Sequence, residues 1–180
     1  VFVTDFNSTM ISIARDVKIQ LEFNPEAVES YRLIGYENRK IADKDFRNDR
    51  VDAGEVGSGH NVTALYEVRL TASPSDTLAT ARVRYEKPGP DSVATERSWT
   101  VQTSDIRSER RASESLKVAF TAGTFAEILR RSPHVTEIAL ADLIAYAEDA
   151  QRRGEDDDAE LIYLMKTAEK LGVGPTFVRR

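Results

Sequence analysis

The sequence predicts an α+β protein: an antiparallel β-sandwich followed by a small three-helix lobe. Two observations carry that class. Up to about Asp105, apolar residues recur with period two in short runs broken by polar turns; beyond it they recur at three- and four-residue spacing. Strands gathered in one part of the chain and helices in another mark α+β rather than the alternating α/β pattern.

The elements follow in order. Phe6, Met10 and Ile13 stand at helical spacing behind Thr4 and Asp5, which predicts a short leading helix within residues 1–15. "DVKIQLEFNP" then alternates, with Val17, Ile19, Leu21 and Phe23 on a dry face and Lys18, Gln20 and Glu22 on a wet one. Asn24-Pro25 stops the run, because proline cannot donate to a ladder. "YRLIGYE" follows closely enough to be its neighbour. "TALYEVRLT" and "ATARVRYEKPGP" flank "ASPSD", a turn composition, and "VATERSWTVQ" closes a further hairpin across "KPGPDS". Five or six strands fall short of the seven of a closed immunoglobulin-like sandwich, so the sandwich assigned to 16–104 reads as incomplete and its edge as exposed. Between Arg32 and Thr71 lies an insert with five carboxylates (Asp43, Asp45, Asp49, Asp52, Glu55) and three glycines.

The helical subdomain is assigned to 105–180. Val118, Ala122, Phe125 and Leu129 mark the first helix, and Leu140, Leu143, Ile144 and Ala147 the second. Leu161, Leu164, Met165, Ala168 and Leu171 mark the third. Pro133 separates the first two, and Gly154 and Gly172 are stops. Asp156, Asp157 and Asp158 read as a solvated helix start, placed where negative charge meets the positive end of the helix dipole.

Composition sets the outer limits. The 180 residues suit one medium domain or two small ones, with 41% hydrophobic and 31% charged residues. A net charge of -5 and a pI near 5.2 argue against a nucleic-acid surface. The absence of cysteine excludes disulfides and thiolate metal sites. No apolar run approaches the ~20 residues that span a bilayer. The opening "VFVTDF" has no initiator Met and reads as part of a longer protein.

The sequence assigns no catalytic, cofactor-binding or metal residue. Only His60 and His134 could act as an imidazole base, and "GSGH" at 57–60 places its Ser and His two apart in a glycine-rich turn entering a strand. Gly54, Gly57 and Gly59 match neither dinucleotide nor phosphate loops. "DFNST" at 5–9 departs from the D-x-S-x-S metal loop at Asn7. In the insert, an EF-hand frame begun at Asp43 fails at Arg47 and at Gly54, where ligands are required. Lys44, Arg47 and Arg50 interleave with the acids, so the insert reads as a locally neutralised connection. Tyr31, Arg32, Tyr36, Asn38 and Arg39 form one candidate interaction surface, since Tyr and Arg are enriched at interfaces. Arg82 and Arg84, with Arg69 and Arg97, form another on the wet face, where acids such as Glu67, Glu86 and Glu96 can pair with them.

"DVKIQLEFNP", "YRLIGYENR", "DFRNDRVDAGEVGSGHNVTALYEV" and the helical "LRRS" resemble the C-terminal region of bacterial YfbK-type proteins, which carry a von Willebrand factor type A domain. In that family an exported or lipoprotein-like segment precedes a type A domain with a metal-dependent adhesion site, and the region resembled comes last. The resemblance implies that residues 1–15 leave an upstream type A domain, that any divalent metal binds there, and that the protein is extracytoplasmic. It further implies a non-catalytic accessory domain that packs beside the type A domain and supports binding to a protein partner. A stand-alone module holding an anionic ligand or glycan on the wet face is the alternative. An exposed sheet edge would also permit a homodimer.

Overall fold

The structure, a computed structural model, describes residues 12–35, 42–51, 53–90, 92–151 and 155–173. Among the described residues six strands precede three α-helices, which places the chain in the α+β class. The strands are β1 (Ser12–Phe23), β2 (Val28–Ile34), β3 (Gly54–Gly57), β4 (Leu65–Leu70), β5 (Thr77–Glu86) and β6 (Thr95–Gln102). The helices are α1 (Glu114–Leu129), α2 (Leu140–Ala150) and α3 (Asp156–Lys170). The described residues divide into two compact units: those of 1–32, 36–63 and 67–106, and those of 33–35, 64–66 and 107–180.

The strand unit is centred on a four-stranded antiparallel sheet in the order β3-β1-β5-β6, and β2 pairs with β4 in a sheet of two. β5 and β6 form the expected hairpin. Two other pairings differ from expectation: β1 neighbours β3 and β5 rather than β2, and β4 does not pair with β5. Asn24-Pro25 explains both. Past Phe23↔Ala79 the two chains stay bonded, through Asn24 N–H to the Leu78 carbonyl and Thr71 N–H to the Ala27 carbonyl. The Asn24 side chain donates to Ser75 Oγ and to the Thr77 carbonyl, and accepts from Glu26 N–H. Residues 24–27 and 71–76 therefore leave the first sheet side by side and enter the second as partners. Local turn composition could not reveal a bend shared by segments about fifty positions apart.

The start of the chain is also corrected. Residues 1–11, which hold most of the expected leading helix, lie outside the described residues, but Ser12–Arg15 open β1 and are extended. Pairing of Ser12 with Gly57 and Ala14 with Val56 captures this segment for the sheet. The partner, β3, was read as turn; its sequence Gly-Glu-Val-Gly carries a single strand-forming side chain.

The helical unit holds the main apolar core. Phe125, Ile128, Leu140, Leu143, Ile144, Ala147, Ile162, Met165 and Ala168 pack with Val135. Seven of these nine are periodic positions that predicted the helices; Ile128 and Ile162 are buried instead of the expected Leu129, Leu164 and Leu171, which are exposed. Burial of each large side chain stabilises by about 1.5–3 kcal/mol. Ser113 caps α1 by accepting from Leu116 N–H, and Gly172 takes φ +77° just past α3, the left-handed turn that glycine permits. Gly123 lets α1 approach Ile34 and Leu65: a Cβ there would sit 3.3 Å from Ile34 Cγ2 and 3.4 Å from Leu65 Cδ2. Among the three aspartates that open α3, Asp156 and Asp157 are exposed, whereas Asp158 is buried rather than solvated.

Because Met165 is fully buried, at 0% exposure, Met165→Ala is expected to destabilise the helical unit by about 2–5 kcal/mol. Urea unfolding followed by far-ultraviolet circular dichroism measures this. A loss under about 1 kcal/mol would show that the core lies elsewhere.

Candidate functional site

The register of the four-stranded sheet sorts its side chains onto two faces. Lys18↔Arg84↔Glu96, Gln20↔Arg82↔Ser98 and Glu22↔Thr80↔Thr100 share one; Ile19↔Val83↔Arg97, Leu21↔Ala81↔Trp99 and Phe23↔Ala79↔Val101 share the other. The alternation of β1 and β5 thus reads correctly, but Arg97, expected on the wet face beside Arg82 and Arg84, stands on the apolar one, and burial does not follow the alternation. Lys18, on the expected wet face, is 1% exposed, whereas Ile19, on the expected dry face, is 49% exposed.

Lys18 is buried by the acid-rich insert. Its ammonium donates to Asp16 Oδ2 at 3.0 Å and to the Asn48 carbonyl at 2.9 Å. Burying an ammonium costs several kcal/mol unless an opposite charge and hydrogen bonds replace its water, and both are supplied here. Asp16 reaches it from a backbone at φ 48°, the left-handed region that Asp visits more readily than most residues. The same residue lies in the register shift between Arg15 and Lys18, so a bulge turns the carboxylate toward the ammonium. Phe46 of the insert is buried as well.

Ion pairs extend this attachment across the sheet. Arg47 donates to both carboxylate oxygens of Glu96, at 2.9 and 2.8 Å, and Arg84 pairs with Asp49. These bonds depart from the expectation of a connection neutralised within itself: Arg47 and Asp49 are matched by the sheet. The hydrogen bond from Arg47 holds the Glu96 carboxyl below the usual carboxylate range, and that from Arg84 does the same for Asp49. Each pair has one exposed partner, Arg47 in the first and Asp49 in the second, and both fasten the loop to the sheet.

The predicted interaction residues fall as follows. Arg32 bonds to Glu67, Arg82 to Glu22 and Arg84 to Asp49, so all three guanidinium groups are matched by carboxylates. Tyr36, Asn38 and Arg39 lie outside the described residues. Tyr31 is exposed and stacks its ring 4.3 Å from that of Phe23. Ser58, His60 and His134 are exposed, and Asp45 of the insert accepts from the Asn48 side chain. No group of three or more His, Asp or Glu suited to a metal ion occurs among the described residues, and no described helix is long and apolar enough to cross a membrane.

The structure draws notice instead to the other face. Ile19 and Trp99 are half-exposed there, 49% and 53%, beside Leu21, Val83 and Val101. Alternation identified this face, but no periodic signal says that a dry face is left uncovered. The family model describing the C-terminal region of the uncharacterised protein YfbK matches residues 8–171. The chain belongs to that family. Within the YfbK C-terminal family, the Uncharacterized protein YfbK of Escherichia coli (strain K12) is 28% identical over 188 residues. That alignment covers 92% of this chain and 32% of the relative, so the chain spans about a third of the length of the curated relative it matches. No solved structure matches the chain.

Two outcomes are expected from the buried lysine and its surroundings. Lys18→Ala leaves the Asp16 carboxylate unpaired and should cost the strand unit about 3–5 kcal/mol, while Lys18→Met with Asp16→Asn should recover much of the loss. Urea unfolding followed by Trp99 fluorescence reads this; strictly additive effects would mean that the two side chains do not interact. The Glu96 carboxyl should titrate below the usual carboxylate range, and Arg47→Gln should move it upward, as read by NMR pH titration. Since its pKa is lowered in the folded chain, the contribution of this pair is present above the unfolded value and fades as pH falls through the folded one. A midpoint unmoved by Arg47→Gln would mean that the pair does not form in solution.

Proposed function

We propose that this chain is a non-catalytic accessory domain at the C-terminal end of a longer, extracytoplasmic protein. In this reading it packs beside a von Willebrand factor type A domain and supports that domain's binding to a protein partner. The observation that carries the proposal is the half-exposed apolar face of the four-stranded sheet, with Ile19, Leu21, Val83 and Trp99 on one side. A contiguous apolar face open to water costs free energy that a protein partner recovers by covering it. The family description as a C-terminal region, and a relative about three times as long, support the placement. Any divalent metal belongs to the type A domain in this scheme.

The alternative, an anionic ligand or glycan on the arginine face, is the weaker reading. Arg82 and Arg84 are occupied by Glu22 and Asp49, and the insert lies across the Lys18 side of that face. A ligand would have to displace bonds already made.

The two readings separate in a binding experiment. Isothermal titration of this chain with the type A portion of its full-length protein should give binding that Val83→Asp weakens at least tenfold and Arg82→Gln leaves unchanged. Loss with Arg82→Gln and indifference to Val83→Asp would instead favour the anion-binding module.

A further inference from the structure

The two edges of the four-stranded sheet are built differently. β3 has four residues, begins and ends in glycine, and meets β1 through two register shifts, devices that blunt an edge. β6 has eight residues and holds unbroken register with β5 from Ala79↔Val101 to Tyr85↔Thr95. It contains neither proline nor lysine, and Glu96 through Thr100 are exposed in succession. No described strand pairs with its outer side. Trp99, half-exposed on this strand, is the single tryptophan of the chain.

We propose that the outer edge of β6 pairs antiparallel with β6 of a second copy of this chain, joining two four-stranded sheets into one. The inference is independent of the accessory role above. Charge complementarity selects the occupant. A two-fold axis at Ser98 sets Arg97 opposite Trp99 of the second copy, and Trp99 opposite that copy's Arg97, both on the apolar face. A guanidinium beside an indole face is attracted to it, more strongly once water is excluded. On the other face Glu96 meets Thr100, and its carboxylate is already held by Arg47. No like charges oppose one another in this register. The unpaired N–H and C=O groups of two open edges satisfy each other, so one contact closes both edges.

Sedimentation velocity over a concentration series, with Trp99 emission and acrylamide quenching read on the same samples, tests the pairing. The expected result is a monomer–dimer equilibrium in which emission shifts to the blue and quenching falls as the dimer forms. Trp99→Lys should weaken dimerisation at least tenfold by opposing two cations, and Arg97→Glu combined with Trp99→Lys should restore it by setting a glutamate opposite a lysine. Circular dichroism confirms that each variant keeps its fold, and wild-type quenching needs no variant at all. A monomer at every concentration with Trp99 freely quenched overturns the proposal, as does a dimer whose Trp99 stays fully quenchable or a double variant that fails to recover. In the full-length protein, a monomer with Trp99 shielded would assign the edge to another part of the same polypeptide and equally overturn it.

Discussion

One buried cation organises the strand unit. A lysine ammonium with 1% exposure must find a negative charge and hydrogen-bond acceptors, or the fold loses several kcal/mol. Lys18 finds Asp16 two residues back along its own strand and the Asn48 carbonyl thirty residues ahead. The first contact requires β1 to bulge; the second requires the insert to lie on the sheet. Once Asn48 is fixed, its neighbours Arg47 and Asp49 stand within reach of Glu96 and Arg84, and Phe46 is carried under cover. A loop that reads as a string of charges becomes the outer layer of a polar face.

The two units are consequently stabilised by different means. In the helical unit, apolar side chains at helical spacing meet in a common core around Met165 and leave water together. The strand unit buries only Ala27, Val28, Phe46 and Ala79 among the described apolar residues and relies on ladders, ion pairs and the lysine contact. The arrangement leaves the apolar side of its sheet available, which is where the proposed contacts lie.

Much of this architecture was legible from residue order, and the failures have physical causes. Helix positions were readable because a 3.6-residue period belongs to one element and needs no knowledge of its partners. The facing of β1 and β5 was readable for the same reason, whereas Arg97 of β6 falls on the apolar face rather than the wet one. Partner choice was not: β1 selects β5 through the bend at Asn24 and Pro25, and β3 joins through backbone pairing that glycine does not advertise. Burial of Lys18 depends on residues 42–51 folding back over it, and no alternation pattern records that. Of the arginines expected to face acids, Arg82 bonds to Glu22, and Arg84 bonds to Asp49 of the insert rather than to Glu96, its neighbour by register. Nothing in residue order singles out Trp99, because the exposure of a strand face depends on packing and not on the strand's own alternation.

The bulge at Asp16 makes β1 sensitive to chain length as well as to chemistry. Asn or Gly could also occupy the left-handed backbone, but neither carries the charge that Lys18 requires. Loss or gain of one residue between Ala14 and Val17 is another matter. Strand side chains alternate, so a single-residue slip would send the lysine to the opposite side of the sheet and bring Val17 or Ile19 beneath the insert. In the natural variation of such a protein, this short stretch should therefore stay constant in length and keep the carboxylate at Asp16.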